Sequence, residues 1–120
     1  GLTWSNKGSL LVTGEEEDKK SDSRKAFIRI FDMPAGREIE KIDFQGTINE
    51  LFFSHDDRYL LAAGHGGVKV YNTEDWSLAA AYTPESYTKF ITGVFSPDGI
   101  HIFAGDNKGY LHLWDWKEYK

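Results

Sequence analysis

Apolar residues along this chain fall in short runs, each only four or five residues long and cut by polar turns. Inside several runs apolar and polar side chains alternate, as in Phe27-Ile28-Arg29-Ile30-Phe31, Val68-Lys69-Val70-Tyr71 and Leu111-His112-Leu113-Trp114. A period of two sends successive side chains to opposite faces of a strand. Helical signals are poor throughout, and Gly- and Asp-rich turns recur about every 8–12 residues, which is the all-β pattern.

The turns repeat in order. Ser5-Asn6-Lys7-Gly8, Ser54-His55-Asp56-Asp57 and Ser96-Pro97-Asp98-Gly99 each follow an aromatic residue and each precede an apolar run that ends at glycine. An alternating strand comes next and closes on an aromatic with Asp or Asn: Phe31-Asp32, Tyr71-Asn72 and Trp114-Asp115. Ser5 to Ser54 is 49 residues and Ser54 to Ser96 is 42, while Asp32 to Asn72 is 40 and Asn72 to Asp115 is 43. The one long interval is accounted for by a polar insertion over 15–25. The remainder fits the period of roughly 40–45 residues expected of four-stranded propeller blades.

Four strands, a to d, are therefore predicted in each repeat. Strand a lies near 2–4, 48–53 and 91–95, and strand b near 10–13, 59–63 and 101–104. Strand c lies near 27–31, 68–71 and 110–114, and strand d near 38–44 and 78–82, with no third d before Lys120. The chain divides into blade 1 at about 1–46, blade 2 at about 47–86 and blade 3 at about 87–120.

These residues resemble the WD-repeat (WD40) family of β-propellers, most closely over 93–115 with its Ser-Pro-Asp-Gly turn and terminal Trp114-Asp115. The fold class implied is an all-β partial propeller of about three four-stranded antiparallel blades. A narrower likeness runs to the last blades of the spliceosomal U-box ubiquitin-ligase scaffold. It rests on the short second b–c turn, on Asp75-Trp76 before strand d and on Thr92-Gly93-Val94 entering the third repeat. No U-box accompanies them, so ligase activity is not implied.

Departures from the family pattern matter as well. No Gly-His pair precedes Ile48 or Ile91, and Lys108 stands where the family places an Asp in the b–c turn. The second b–c turn, Gly64-His65-Gly66-Gly67, holds no acid. The expectation is blades held by apolar packing, without a buried polar network.

Composition narrows the function. With 120 residues the chain is long enough for one real core, and its net charge of −5 argues against direct nucleic-acid binding. Cysteine is absent, which excludes disulfides, thiolate metal sites and a cysteine nucleophile and fits a reducing compartment, cytoplasmic or nuclear. No apolar stretch is long enough to span a membrane. The sequence opens on Gly rather than Met, as a fragment or processed chain would. Propellers close with 4–8 blades, so further blades from the parent chain or another chain are expected.

Candidate chemistry is sparse. Gly64-His65-Gly66-Gly67 resembles a phosphate loop only superficially, because a strand follows where a helix N-terminus would be needed. His55, His65, His101 and His112 show no metal-ligand spacing. Asp106-Asn107-Lys108-Gly109 lacks the ligand series of a calcium loop, and no G-x-S-x-G motif is present. No catalytic residue, metal or cofactor is expected. Trp114 is expected in the core. Trp116 is expected at the surface, where a further d strand would cover it.

The implied function is a non-catalytic protein–protein interaction scaffold, its partners being other proteins of a multisubunit complex. The alternative is an enzyme or small-ligand-binding propeller of lactonase-like or sugar-binding type, which would gather acids and histidines around a central channel. Candidate partner-binding residues lie on the b–c side. They are Glu15, Glu16, Glu17, Lys19, Lys20, Arg24 and Lys25 of the insertion, His65 of the second turn, and Asp106, Asn107 and Lys108 of the third. The insertion reads either as a solvated loop or as a docking segment that phosphorylation of Ser21 or Ser23 would recharge.

Overall fold

A computed structural model describes residues 2–16, 25–83 and 88–116. Eleven strands among them form three antiparallel sheets. The first is β1 (Leu2–Trp4), β2 (Leu10–Glu16), β3 (Lys25–Asp32) and β4 (Arg37–Gln45). The second is β5 (Ile48–Phe53), β6 (Tyr59–Gly64), β7 (Gly67–Asn72) and β8 (Leu78–Tyr82). The third is β9 (Phe90–Phe95), β10 (His101–Asp106) and β11 (Leu111–Asp115). Each sheet is a meander in chain order, as expected for propeller blades.

The a–b turns are built alike in all three sheets. The serine amide donates to the carbonyl five residues on, and its Oγ accepts from that residue's amide: Leu10 at 3.1 Å, Tyr59 at 3.0 Å and His101 at 3.1 Å. The fourth turn residue has positive φ, 75° at Gly8, 62° at Asp57 and 73° at Gly99. A left-handed backbone is costly for a residue with a Cβ, so Asp57 stands where glycine is easiest. Its carboxylate accepts from Asn6 N at 2.7 Å, Asn6 Nδ2 at 2.8 Å and Lys7 N at 2.9 Å, clamping the first turn to the second. Among the described residues Trp76 also has positive φ, 61°, and its indole packs on the core between sheets one and two.

Two cores lie between successive sheets. In the first, Val12, Ile28, Ile30 and Phe44 meet Leu51, Phe53, Leu60 and Ala62. In the second, Leu61, Ala63, Val68 and Val70 meet Phe90, Phe95, Ile102 and Ala104. The middle sheet is thus covered on both faces, and this explains why its strand Tyr59-Leu60-Leu61-Ala62-Ala63 reads as a continuous apolar run. The equivalent strand β10 alternates buried and half-buried residues instead. Its outward neighbours on β11, Leu111 and Leu113, are 69% and 56% exposed.

Two expectations need correction. Trp116 is 3% exposed: its Nε1 donates to the Gly99 carbonyl at 3.0 Å, and its ring meets Tyr59 and Phe95 edge-on. The b–c insertion is also shorter than 15–25, because β2 and β3 extend past the predicted strand ends. Glu15 pairs with Phe27, and Glu16 with Ala26.

Candidate interaction face

The two ends of the blades are tied differently. At one end, b–c turns bond to the connectors between sheets: His65 N donates to Thr47 O at 2.9 Å, and Asn107 N to Lys89 O at 2.9 Å. The Asn107 side chain returns the contact by accepting from Lys89 N at 3.1 Å. At the opposite end, a–b turns bond to c–d turns, with Thr73 N donating to Arg58 O and Thr73 Oγ1 to Asp57 O. The second and third b–c turns are therefore held by backbone to the neighbouring connector.

Glu15 is an exposed strand residue whose Oε2 lies 2.7 Å from Arg29 Nε, while Glu38 meets the other side of the same guanidinium at 2.8 Å. Glu38 first, then Glu15, raises the Arg29 guanidinium above its ordinary value. Glu16 and Lys25 belong to the paired ends of β2 and β3. Glu17, Lys19, Lys20 and Arg24 lie outside the described residues, as do Ser21 and Ser23. His65 is half-buried in the second turn, and Asn107 and Lys108 are exposed in the third.

Residues 80–115 match the WD domain, G-beta repeat family. Residues 80–115 are thus similar to a WD40 repeat, within a chain whose three antiparallel sheets have the fold of β-propeller blades. It is 28% identical over 92 residues to the LST8 homolog of Dictyostelium discoideum, a match covering 75% of this chain and 30% of that protein. In fold it is similar to the Cps50 (Swd1) β-propeller domain of Myceliophteria thermophila, with a TM-score of 0.77, 19% identity, and coverage of 95% of this chain and 34% of that one. The chain thus spans about a third of the length of each.

Within the matched WD40 repeat, Asp106 departs most from expectation. It is not at a loop tip but ends β10, 7% exposed. Its Oδ1 accepts from Lys108 N at 2.8 Å and Tyr110 N at 2.9 Å, and its Oδ2 lies 2.8 Å from His112 Nε2. The His112 ring lies edge-on to Phe90, with centroids 4.9 Å apart. The third blade therefore does carry an inward polar link. The alternation that puts His112 on the same face as Trp114 was the available signal, since a histidine facing a core calls for a hydrogen-bonding partner.

This link makes an acid-sensitive prediction. The His112 ring, then the Tyr110 and Lys108 amides, hold the Asp106 carboxyl below the ordinary carboxylate range against the upward pull of burial. The Ser96 hydroxyl and Ile100 amide do the same for Asp98. Folding favours both ionised forms, so their stabilisation is present above the unfolded value of about 4 and is lost as pH falls through the lower folded value. The thermal midpoint should decline below about pH 4, and more gently in the Asp98→Asn, Asp106→Asn double variant. Equal acid slopes in the two proteins would contradict this.

Among the described residues, no group of three His, Asp or Glu is placed to hold a metal, and no helix is long and apolar enough to cross a membrane.

Proposed function

We propose that this WD40 segment acts as a non-catalytic protein-interaction scaffold within a larger intracellular complex, presenting the b–c side of its blades to a protein partner. The carrying observation is the third turn. Asp106 is fixed inward by three contacts and Asn107 is tied to Lys89 through its backbone and side-chain carbonyl. Lys108 is thereby displayed from an immobilised backbone, and recognition residues on a rigid frame lose little entropy on binding. Glu15 is an exposed acid at the corresponding end of blade 1, and His65 stands in the turn of blade 2.

The test uses the intact protein. Lys108→Glu, and separately replacement of 17–24 by an Asn-Gly turn, should leave the thermal midpoint within a few degrees of wild type. Each should weaken co-purification of the protein's stable partners roughly tenfold, equivalent to about 1.4 kcal/mol. An unchanged partner set and affinity in both variants, with folding intact, would overturn the b–c assignment.

A further inference from the structure

At the other end of the blades, the a–b turns of blades 1 and 2 are closed onto each other by the Asp57 carboxylate, which grips Asn6 and Lys7. The corresponding residue of blade 3 is Gly99, with the same positive φ but no side chain. A Cβ built there meets nothing within 4 Å. The turns of blades 2 and 3 are consequently left apart, and two adjoining clefts of about 210 and 120 Å³ open between them, sharing His55 and Pro97.

The chemistry of the clefts is lopsided. The larger has an aromatic floor of Phe52, Phe53 and Phe95 beside Pro97; Phe52 is 36% exposed despite lying 6.4 Å from the Phe95 ring. The smaller is rimmed by Asp56 and Asp98. Neither cleft is lined by Lys or Arg; the nearest cationic groups are the exposed Arg58, whose Nε lies 4.0 Å from Asp56, and His101, whose Nδ1 lies 3.7 Å from Asp98. Both rim carboxylates are fixed in place, accepting from a serine hydroxyl and a backbone amide: Ser54 and Arg58 for Asp56, Ser96 and Ile100 for Asp98. Their acidity is increased as a result. At Asp56 burial pulls the other way and is outweighed by these bonds; at Asp98 the Ser96 hydroxyl leads. An apolar floor next to two fixed negative charges is complementary to an apolar side chain adjoining a cation.

We infer that the cleft between the second and third a–b turns is a docking site for a linear peptide segment, one that seats an apolar side chain on Phe52, Phe95 and Pro97 and places a neighbouring Lys or Arg against Asp56 and Asp98. The site is on the opposite side from the b–c turns and stands or falls separately from the function proposed for them.

The test is fluorescence anisotropy on the intact protein with two labelled probes, the peptides Gly-Phe-Arg-Gly and Gly-Phe-Glu-Gly. The Arg probe should bind saturably and roughly tenfold more tightly than the Glu probe, with an affinity that falls as salt rises. Gly99→Asp should abolish Arg-probe binding while leaving the circular dichroism spectrum unchanged, because an Asp there can reach the His55 and Asp56 amides as Asp57 reaches those of blade 1. The Asp56→Asn, Asp98→Asn double variant keeps the turn hydrogen bonds and removes both charges. It should lower affinity roughly five- to tenfold and flatten the salt dependence. Absence of saturable binding of the Arg probe, equal binding of both probes, or unchanged affinity in the folded Gly99→Asp variant would overturn the site. Should Gly99→Asp fail to fold, unchanged affinity and salt dependence in the double variant would do so.

Discussion

Replacing Phe90 by Ala is expected to lower the free energy of unfolding by about 3–5 kcal/mol, the range for truncating a fully buried phenylalanine. The ring is completely buried at the seam between blades 2 and 3. Its neighbours come from both: Tyr82 of β8 at 6.1 Å between centroids, and His112 and Trp114 of β11 at 4.9 and 6.5 Å. Its carbonyl also accepts from Asn49 Nδ2 at 2.8 Å, so the backbone stays pinned and cannot collapse into the vacated space. Truncation would remove the apolar cover of the Asp106–His112 pair and leave those groups beside a cavity. Urea unfolding followed by tryptophan fluorescence checks this, since Trp114 and Trp116 both lie at the affected core. The exposed Glu74→Ala control should stay within about 0.5 kcal/mol of wild type. A Phe90→Ala loss below 1 kcal/mol would show that the two blades are not joined through this ring.

The blade order was legible because each copy uses the same physical device. A serine closes the a–b hairpin, a glycine follows the b run, and an aromatic–acid pair ends c; three copies at one period leave little else to fit. The strand ends were less legible. Glu15 and Glu16 look like loop residues by charge, yet they extend β2, because pairing with Phe27 and Ala26 propagates the hairpin and Arg29 accommodates the exposed acid.

The Asp106–His112 link was missed for a geometric reason. Counting back from Trp114-Asp115 in family register lands on Lys108, but the acid that turns inward lies two residues earlier, where the β9–β10 ladder shifts between Gly105 and Asp106. Residue counting cannot anticipate such an irregularity. Trp116 was misjudged because alternation says nothing once a strand ends, and its burial depends on Gly99 and Tyr59, distant in sequence. The cleft beside Pro97 was likewise invisible to periodicity. It follows from the contrast between Asp57 and Gly99 in equivalent slots, which has consequences only after neighbouring turns are seen side by side.

Gly64→Ala is expected to be nearly as damaging as loss of the Phe90 ring, and for a reason unrelated to glycine's freedom in φ. The added Cβ would sit 2.0 Å from the Thr47 carbonyl oxygen and 3.1 Å from Ile48 Cα. Backbone lies there, and no rotamer change can relieve it. The Thr47 oxygen also accepts the His65 amide at 2.9 Å, so moving it away breaks the bond that ties the second b–c turn to the link between blades 1 and 2. Overpacking costs about 1–3 kcal/mol and the lost hydrogen bond about another 1 kcal/mol, which together place the variant near 3 kcal/mol. Gly8→Ala provides the contrast. Gly8 has φ 75° with nothing within 4 Å of its would-be Cβ, so only the left-handed backbone is penalised, at about 1–2 kcal/mol. Thermal melting ranks the two variants, and amide exchange at His65 localises the damage. Protection of the His65 amide should fall in Gly64→Ala and persist in Gly8→Ala. If Gly64→Ala costs no more than Gly8→Ala, the link between blades 1 and 2 is more compliant than this contact allows, and the second turn cannot serve as a fixed platform for His65.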